Sequence, residues 1–96
     1  MIAYCRFEIH IPMASSLKEK RKVIQSLIAR CKNNYNVAVA ELGQNDLWQR
    51  STIGIVTLGN DRNYLDQQCR KIIEFVEEFA GLQVLNHHLE FFEEGW

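Results

Sequence analysis

Proline occurs once in these 96 residues, cysteine three times and glycine five times. So little proline and glycine excludes collagen-like and low-complexity chains. Cys5, Cys31 and Cys69 are odd in number, far apart and free of any CxxC spacing. That pattern excludes a disulfide framework, a zinc knuckle and an iron–sulfur cluster. Each thiol falls in an apolar pattern, where cysteine serves as a small core hydrophobe. No apolar run nears the ~20 residues of a membrane-spanning helix. The N-terminus lacks the basic, apolar, small-residue succession of a signal peptide. A cytoplasmic protein with no membrane association is expected. The length suits one domain over residues 1–96, without repeat or linker, and a chain of this size hides ~60–65% of its extended surface on folding.

What is present is a globular composition, 47% apolar and 24% charged, with a formal net charge of −1. The small total conceals a sorting of charge along the chain. Residues 1–35 hold seven basic and two acidic side chains, a surplus of +5. Residues 36–96 hold four basic and ten acidic ones, a balance of −6, which restores the total. Such asymmetry points to a directed electrostatic surface, unless the two halves neutralise each other.

Residues 2–11 alternate, with Ala3, Cys5, Phe7, Ile9 and Ile11 on one side and Tyr4, Arg6, Glu8 and His10 on the other. Period-two alternation predicts a half-buried strand, ended by Pro12. Ser16-Leu17-Lys18-Glu19 reads as a capping box that opens a helix. Leu17, Val23, Ile24, Leu27, Ile28 and Cys31 recur at helical spacing as far as Tyr35, with Lys18, Arg21, Lys22, Gln25 and Lys32 on the polar side and Lys20 near the apolar seam. Val37–Gly43 reads as a second strand and Gln44-Asn45-Asp46 as a turn. Gln49 or Arg50 to Leu58 reads as a third strand, its continuous run Ile53–Val56 suited to a central position covered on both faces. Asn60 or Asp61 caps a second helix, whose stripe runs Leu65, Cys69, Ile72, Ile73, Val76, Phe79 and Ala80, with Gly81 at the left-handed cap. Residues 82–92 alternate again, placing Leu85, His87, Leu89 and Phe91 opposite Val84, Asn86, His88, Glu90 and Phe92. The acidic end, residues 93–96, is expected to fray.

The order is βαββαβ. Two helices with one apolar stripe each cover one face of a four-stranded antiparallel sheet. Right-handed crossovers then give an α+β, ferredoxin-like split βαβ with strand order 4-1-3-2. The other face of the sheet stays open, and function on such a scaffold lives there or at the loop ends.

The cluster Lys18, Lys20, Arg21 and Lys22 is the sharpest local oddity. Cations in the first turns of a helix oppose its macrodipole. Yet the same placement, beside free amides near Ser16, makes a seat for an anion such as an RNA phosphate. Trp48, Gln49 and Arg50 form a second candidate. Trp48 either packs on the edge of the core or stacks a base, while Gln49 and Arg50 donate to a base edge or phosphate. In the expected topology these two patches fall at opposite ends of the sheet, so joint use would need an extended ligand or a dimer. Asn60-Asp61-Arg62 is explained by capping. His87 and His88, adjacent on a strand, point to opposite faces, and His10 lies far from both, so no metal site is expected. Neither Ser15 nor Ser16 has a paired base, and no cofactor or catalytic residue is indicated. The third strand lacks the aromatics of an RNA-recognition motif.

Taken together, Ile11-Pro12, Ser16-Leu17-Lys18-Glu19-Lys20-Arg21, Val39-Ala40-Glu41 with Gly43, Asp46-Leu47-Trp48-Gln49-Arg50 and Asn60-Asp61 resemble the YlxP-like family of small bacterial proteins. The resemblance runs from about residue 2 to residue 80 and leaves Glu90–Trp96 outside. It implies a ferredoxin-like fold and an intracellular location. It also implies a link to RNA or the ribosome, because genes of the family often neighbour those for translation initiation and ribosome maturation. No catalytic residue comes with it. The leading expectation is a non-enzymatic protein that binds RNA or a ribosomal subunit through Ser16, Lys18, Lys20, Arg21 and Lys22, with Trp48, Gln49 and Arg50 adding local readout. The rival is an interaction module that forms a homodimer through the open sheet face. An enzyme acting on a phosphate-bearing small molecule is the third, and it lacks a visible acid–base pair.

Overall fold

A computed structural model describes residues 1–93. Its elements run β1 (Ile2–His10), α1 (Leu17–Asn34), β2 (Ala38–Gly43), β3 (Arg50–Leu58), α2 (Arg62–Glu77) and β4 (Gln83–Phe92). The strands form one antiparallel sheet in the order β2-β3-β1-β4. This is the expected ferredoxin-like α+β arrangement, 4-1-3-2. The expected fraying of residues 93–96 falls, from residue 94 on, outside the described residues.

Alternation decides which face of each strand is buried. Ala3, Cys5, Phe7 and Ile9 of β1 pack with Ile53 and Ile55 of β3 beneath the helices, all at most 2% exposed. From α1 come Ile24, Leu27 and Cys31, and from α2 Cys69, Ile72 and Val76. Removing a side chain such as Phe7 from water contributes ~1.5–3 kcal/mol, and the thiols fill small gaps in the same layer. All three cysteines are free and buried. Burial pushes the Cys31 thiol up to about 11, and a hydrogen bond with Cys69, together with burial, raises Cys5 as well.

Several details depart from the sequence pattern. The run Ile53–Val56 is central but not sandwiched: Gly54 and Val56 face away from the helices. Leu42 and Tyr4 cover Gly54, where an added Cβ would lie 2.6 Å from Leu42 Cδ1. A shift of register between Glu8 and Ile9 pairs Ile9 with Val84. Val84 therefore joins the core layer, and Leu85 is the bulged residue, 48% exposed. Helix α2 ends at Glu77 rather than Ala80, so Gly81, at φ +92°, serves the following turn and not the helix cap itself. Asp61 caps α2 as expected, its carboxylate accepting from the amides of Asn63 and Tyr64 at 2.9 and 3.2 Å. Among the described residues, no helix is long and apolar enough to cross a membrane.

Candidate functional site

The end of β1 meets the start of β3: His10 pairs with Arg50, and the amide of Ile11 donates to Gln49 O at 2.8 Å. The loop 11–16 that leads into α1 and the loop 44–49 that joins β2 to β3 therefore lie side by side. Opposite ends had been expected for the two candidate patches, and the expectation is corrected by the antiparallel register. Adjacent antiparallel strands bring the exit of one beside the entry of the next.

Ser16 is the N-cap of α1, its hydroxyl accepting from the Glu19 amide at 3.1 Å. Only that half of the capping box forms as expected. The Glu19 carboxylate instead accepts from the Ser15 hydroxyl.

Lys20 belongs to a different system from its neighbours. It is 1% exposed and continues the buried stripe Ile24, Leu27, Cys31 backwards by four residues. Its ammonium donates to the carbonyls of Gln44, Asn45 and Arg50 at 2.9, 3.1 and 3.2 Å and lies 3.1 Å from the Glu41 carboxylate. Glu41 also accepts from the Ser51 hydroxyl at 2.6 Å. Lys20 is thus removed from the anion seat: it is an internal tie from α1 to the β2–β3 connection. That connection needs one, because Gln44 adopts φ +60°, a left-handed conformation that costs a non-glycine residue roughly 1–2 kcal/mol. The Gln44 amide is held on the other side by Glu8 at 3.1 Å and Thr52 at 3.3 Å.

Gln49 is likewise committed, its side-chain amide donating to Pro12 O and Ala14 O at 3.2 and 3.1 Å. The donor expected to read a base edge instead laces the two loops together. Trp48 is 55% exposed, so it does not anchor the core. Together with Leu47, Gln49, Arg50 and Asp46 it borders an open hollow of about 460 Å³.

Lys18, Arg21 and Lys22 are exposed on the outer side of α1, and among the described residues none forms an ion pair. Arg50 is exposed and unpaired on the same terms. Acidic groups in or beside the two loops include Glu19 and Asp46, Glu41, which Lys20 holds, and Glu8, which holds the Gln44 amide. Sequence reasoning missed the exposed apolar side chains Met13 (84%) and Leu47 (51%) that flank the pole. Their position in turns rather than in periodic segments was the available signal. The result is a rigid, laced pair of loops carrying one exposed indole, with separate cations on the helix beside it. It offers phosphate contacts and a stacking surface.

The remaining sequence candidates are placed elsewhere. His88 lies on the open face, 2.8 Å from Glu90, and His87 on the helix side, its ring 6.2 Å from that of Phe7. Arg62 stacks on Phe91 at 4.0 Å.

Element order and strand order define the general class, a small α+β domain of the ferredoxin-like kind. Residues 2–89 match the family model described as a protein of unknown function, DUF503, and the chain belongs to that family. The uncharacterized protein YlxP of Bacillus subtilis (strain 168) is 32% identical over 83 residues, covering 86% of this chain and 90% of that protein.

Proposed function

We propose that this protein is a non-enzymatic binder of RNA, free or within a ribosomal subunit. Phosphates are held by Lys18, Arg21, Lys22 and Arg50, and Trp48 provides the surface on which an unpaired base stacks. The observation that carries the reading is the Ile11–Gln49 junction, which puts both patches at one pole. A single local ligand reaches them, and neither a dimer nor an extended strand is required. The helix start also keeps cations against its own dipole, a cost that a docked anion offsets.

The test is binding to ribosomal RNA fragments and to small ribosomal subunits across a salt series. Each phosphate contact contributes roughly 0.7–0.9 to the slope of log affinity against log salt. Lys18→Gln/Arg21→Gln/Lys22→Gln should flatten that slope by about 2–3 units, and Trp48→Ala should weaken binding with the slope retained. A triple variant with the wild-type slope and affinity would remove the proposal.

A second reading draws on the open sheet face. Tyr4, Ala38, Ala40, Leu42 and Val56 surround Gly54 there and line a shallow apolar hollow of about 160 Å³. The polar side chains beside it have partners within the chain, Arg6 with Glu8 at 3.8 Å and His88 with Glu90 at 2.8 Å. Such a face fits a second copy of the chain. Sedimentation over a range of concentrations decides: a species that stays monomeric throughout rejects the dimer.

A further inference from the structure

The pole opposite the laced loops holds a cleft that neither reading uses. It opens where the chain leaves α1 and enters α2, and its volume is about 250 Å³. Ligand pockets that enclose drug-sized molecules run to roughly 300–1,000 Å³, so this one suits a single small ring system.

Its chemistry is specific. The floor is apolar, made by Leu65 and Ile72, each 1% exposed. Around the floor stand Asn34, Asn36, Tyr64 and Gln68, and among the described residues no charged side chain lines the cleft. Tyr35, which also borders it, is locked in place. Its ring packs edge-on against Phe75 at 5.8 Å and 80°, and its hydroxyl donates to Lys71 O at 3.4 Å. On the other side the Thr57 hydroxyl donates to Asn36 O at 3.0 Å, fixing the backbone there. Asn34 spends one of its two amide hydrogens on Arg30 O at 2.8 Å, which leaves the other hydrogen as a donor and the side-chain oxygen as an acceptor. Among the described residues the side-chain amides of Asn36 and Gln68 and the hydroxyl of Tyr64 have no hydrogen-bond partner. Tyr64 and Gln68 are four residues apart on α2, so the phenol ring and the amide stand on one face of the helix.

We infer that this cleft binds a nucleobase, presented by a free nucleoside or by an unstacked residue of an RNA strand. A neutral rim with both donors and acceptors selects a neutral heterocycle. Asn and Gln amides match the paired donor and acceptor on a base edge, and a tyrosine ring supplies the stacking plate. The absence of lining cations means that a 5′-phosphate adds nothing. The inference does not depend on the basic pole, and the two are separable because binding here is insensitive to salt.

The experiment is amide NMR of the full chain titrated with adenosine, uridine, adenosine 5′-monophosphate and a short unstructured oligonucleotide. Saturable shifts in the side-chain amides of Asn36 and Gln68 and in the backbone near residues 35–37 and 64–68 are expected in the millimolar range. The nucleoside should bind as well as its monophosphate. Tyr64→Ala removes an exposed ring and should weaken binding about fivefold or more, the equivalent of one stacking contact. Gln68→Leu should alter the preference between the two nucleosides. Lys18→Gln/Arg21→Gln/Lys22→Gln should leave nucleoside binding unchanged. Tighter binding of the oligonucleotide at the same residues identifies a strand as the source, and equal binding identifies the free nucleoside. The inference is overturned by shifts confined to the Trp48 pole, by tighter binding of the monophosphate than of adenosine, or by Tyr64→Ala binding like the wild type.

Discussion

Replacing Lys20 with methionine keeps most of the stem and removes the ammonium. In the folded protein that ammonium has four oxygen neighbours, three carbonyls and the Glu41 carboxylate, all within 3.2 Å. Three hydrogens serve four acceptors, so no hydrogen is spare. The substitution strands Glu41, whose side chain is 19% exposed, with Ser51 as its remaining hydrogen-bond partner. Breaking a buried pair from one side costs about 3–5 kcal/mol, a large share of the ~5–15 kcal/mol that holds a domain folded. For a chain of this length each kcal/mol moves the melting temperature by ~4–8 °C.

The assay is urea unfolding followed by far-ultraviolet circular dichroism, with the slope against denaturant checked for constancy. Lys20→Met should lose at least about 3 kcal/mol. Lys20→Met/Glu41→Gln should recover part of it, because the stranded charge is gone. Lys18→Met and Arg21→Met, two residues and one residue away, should stay within about 0.5 kcal/mol of wild type. If Lys20→Met falls within about 1 kcal/mol of wild type, or if the double variant is no better than the single one, the tie does not exist as described.

Three further outcomes follow from the same geometry. Lys18→Gln/Arg21→Gln/Lys22→Gln should fold more tightly, by a few tenths to about 1 kcal/mol in low salt, because cations leave the positive end of α1; thermal melts at two ionic strengths check this. Gly81→Ala, at φ +92°, should cost about 1 kcal/mol despite open space for the methyl group, since the strain lies in the backbone. For Cys31 the folded-state thiol titrates near 11 against an ordinary 9.0. The unfolded chain therefore loses its proton first as pH rises, and stability should decline between about pH 9 and 11, less so in Cys31→Ala than in wild type after allowing for the cavity; urea midpoints across that range measure it.

The fold was legible because every element announces itself by period. Phe7 and Ile9 alternate with Glu8 and His10, and Ile24, Leu27 and Cys31 recur at helical spacing. Asp61 stands where a cap belongs. What the pattern hid were features set by contact rather than period. The bulge that exposes Leu85 depends on the register β4 adopts against β1, which the sequence of β4 alone does not contain. The early end of α2 left Phe79 packed on the core from outside the helix, so an apolar residue in phase did not mean a helical one. Gln49 reads as a hydrogen-bonding side chain from sequence, but only the position of loop 11–16 shows that Pro12 and Ala14 already occupy it.

The basic run carries the most instructive error, because position on a helix separates residues that composition groups. From Cys31, steps of four, three and four residues back reach Leu27, Ile24 and Lys20, the buried stripe of α1. Lys20 therefore enters the interior by geometry, and a partner such as Glu41 is obligatory there, since an unpaired buried ammonium is prohibitively costly. Lys18, Arg21 and Lys22 sit about 100–200° around the helix from it and meet solvent. One of four adjacent cations thus stabilises the fold, while the other three act against the helix dipole. The expectation that the two loops lie apart failed for a comparable reason. Strand order 4-1-3-2 with β1 and β3 antiparallel already requires the end of β1 to lie beside the start of β3. Working the topology through to its loop ends would have placed Trp48 beside the start of α1 from the sequence itself.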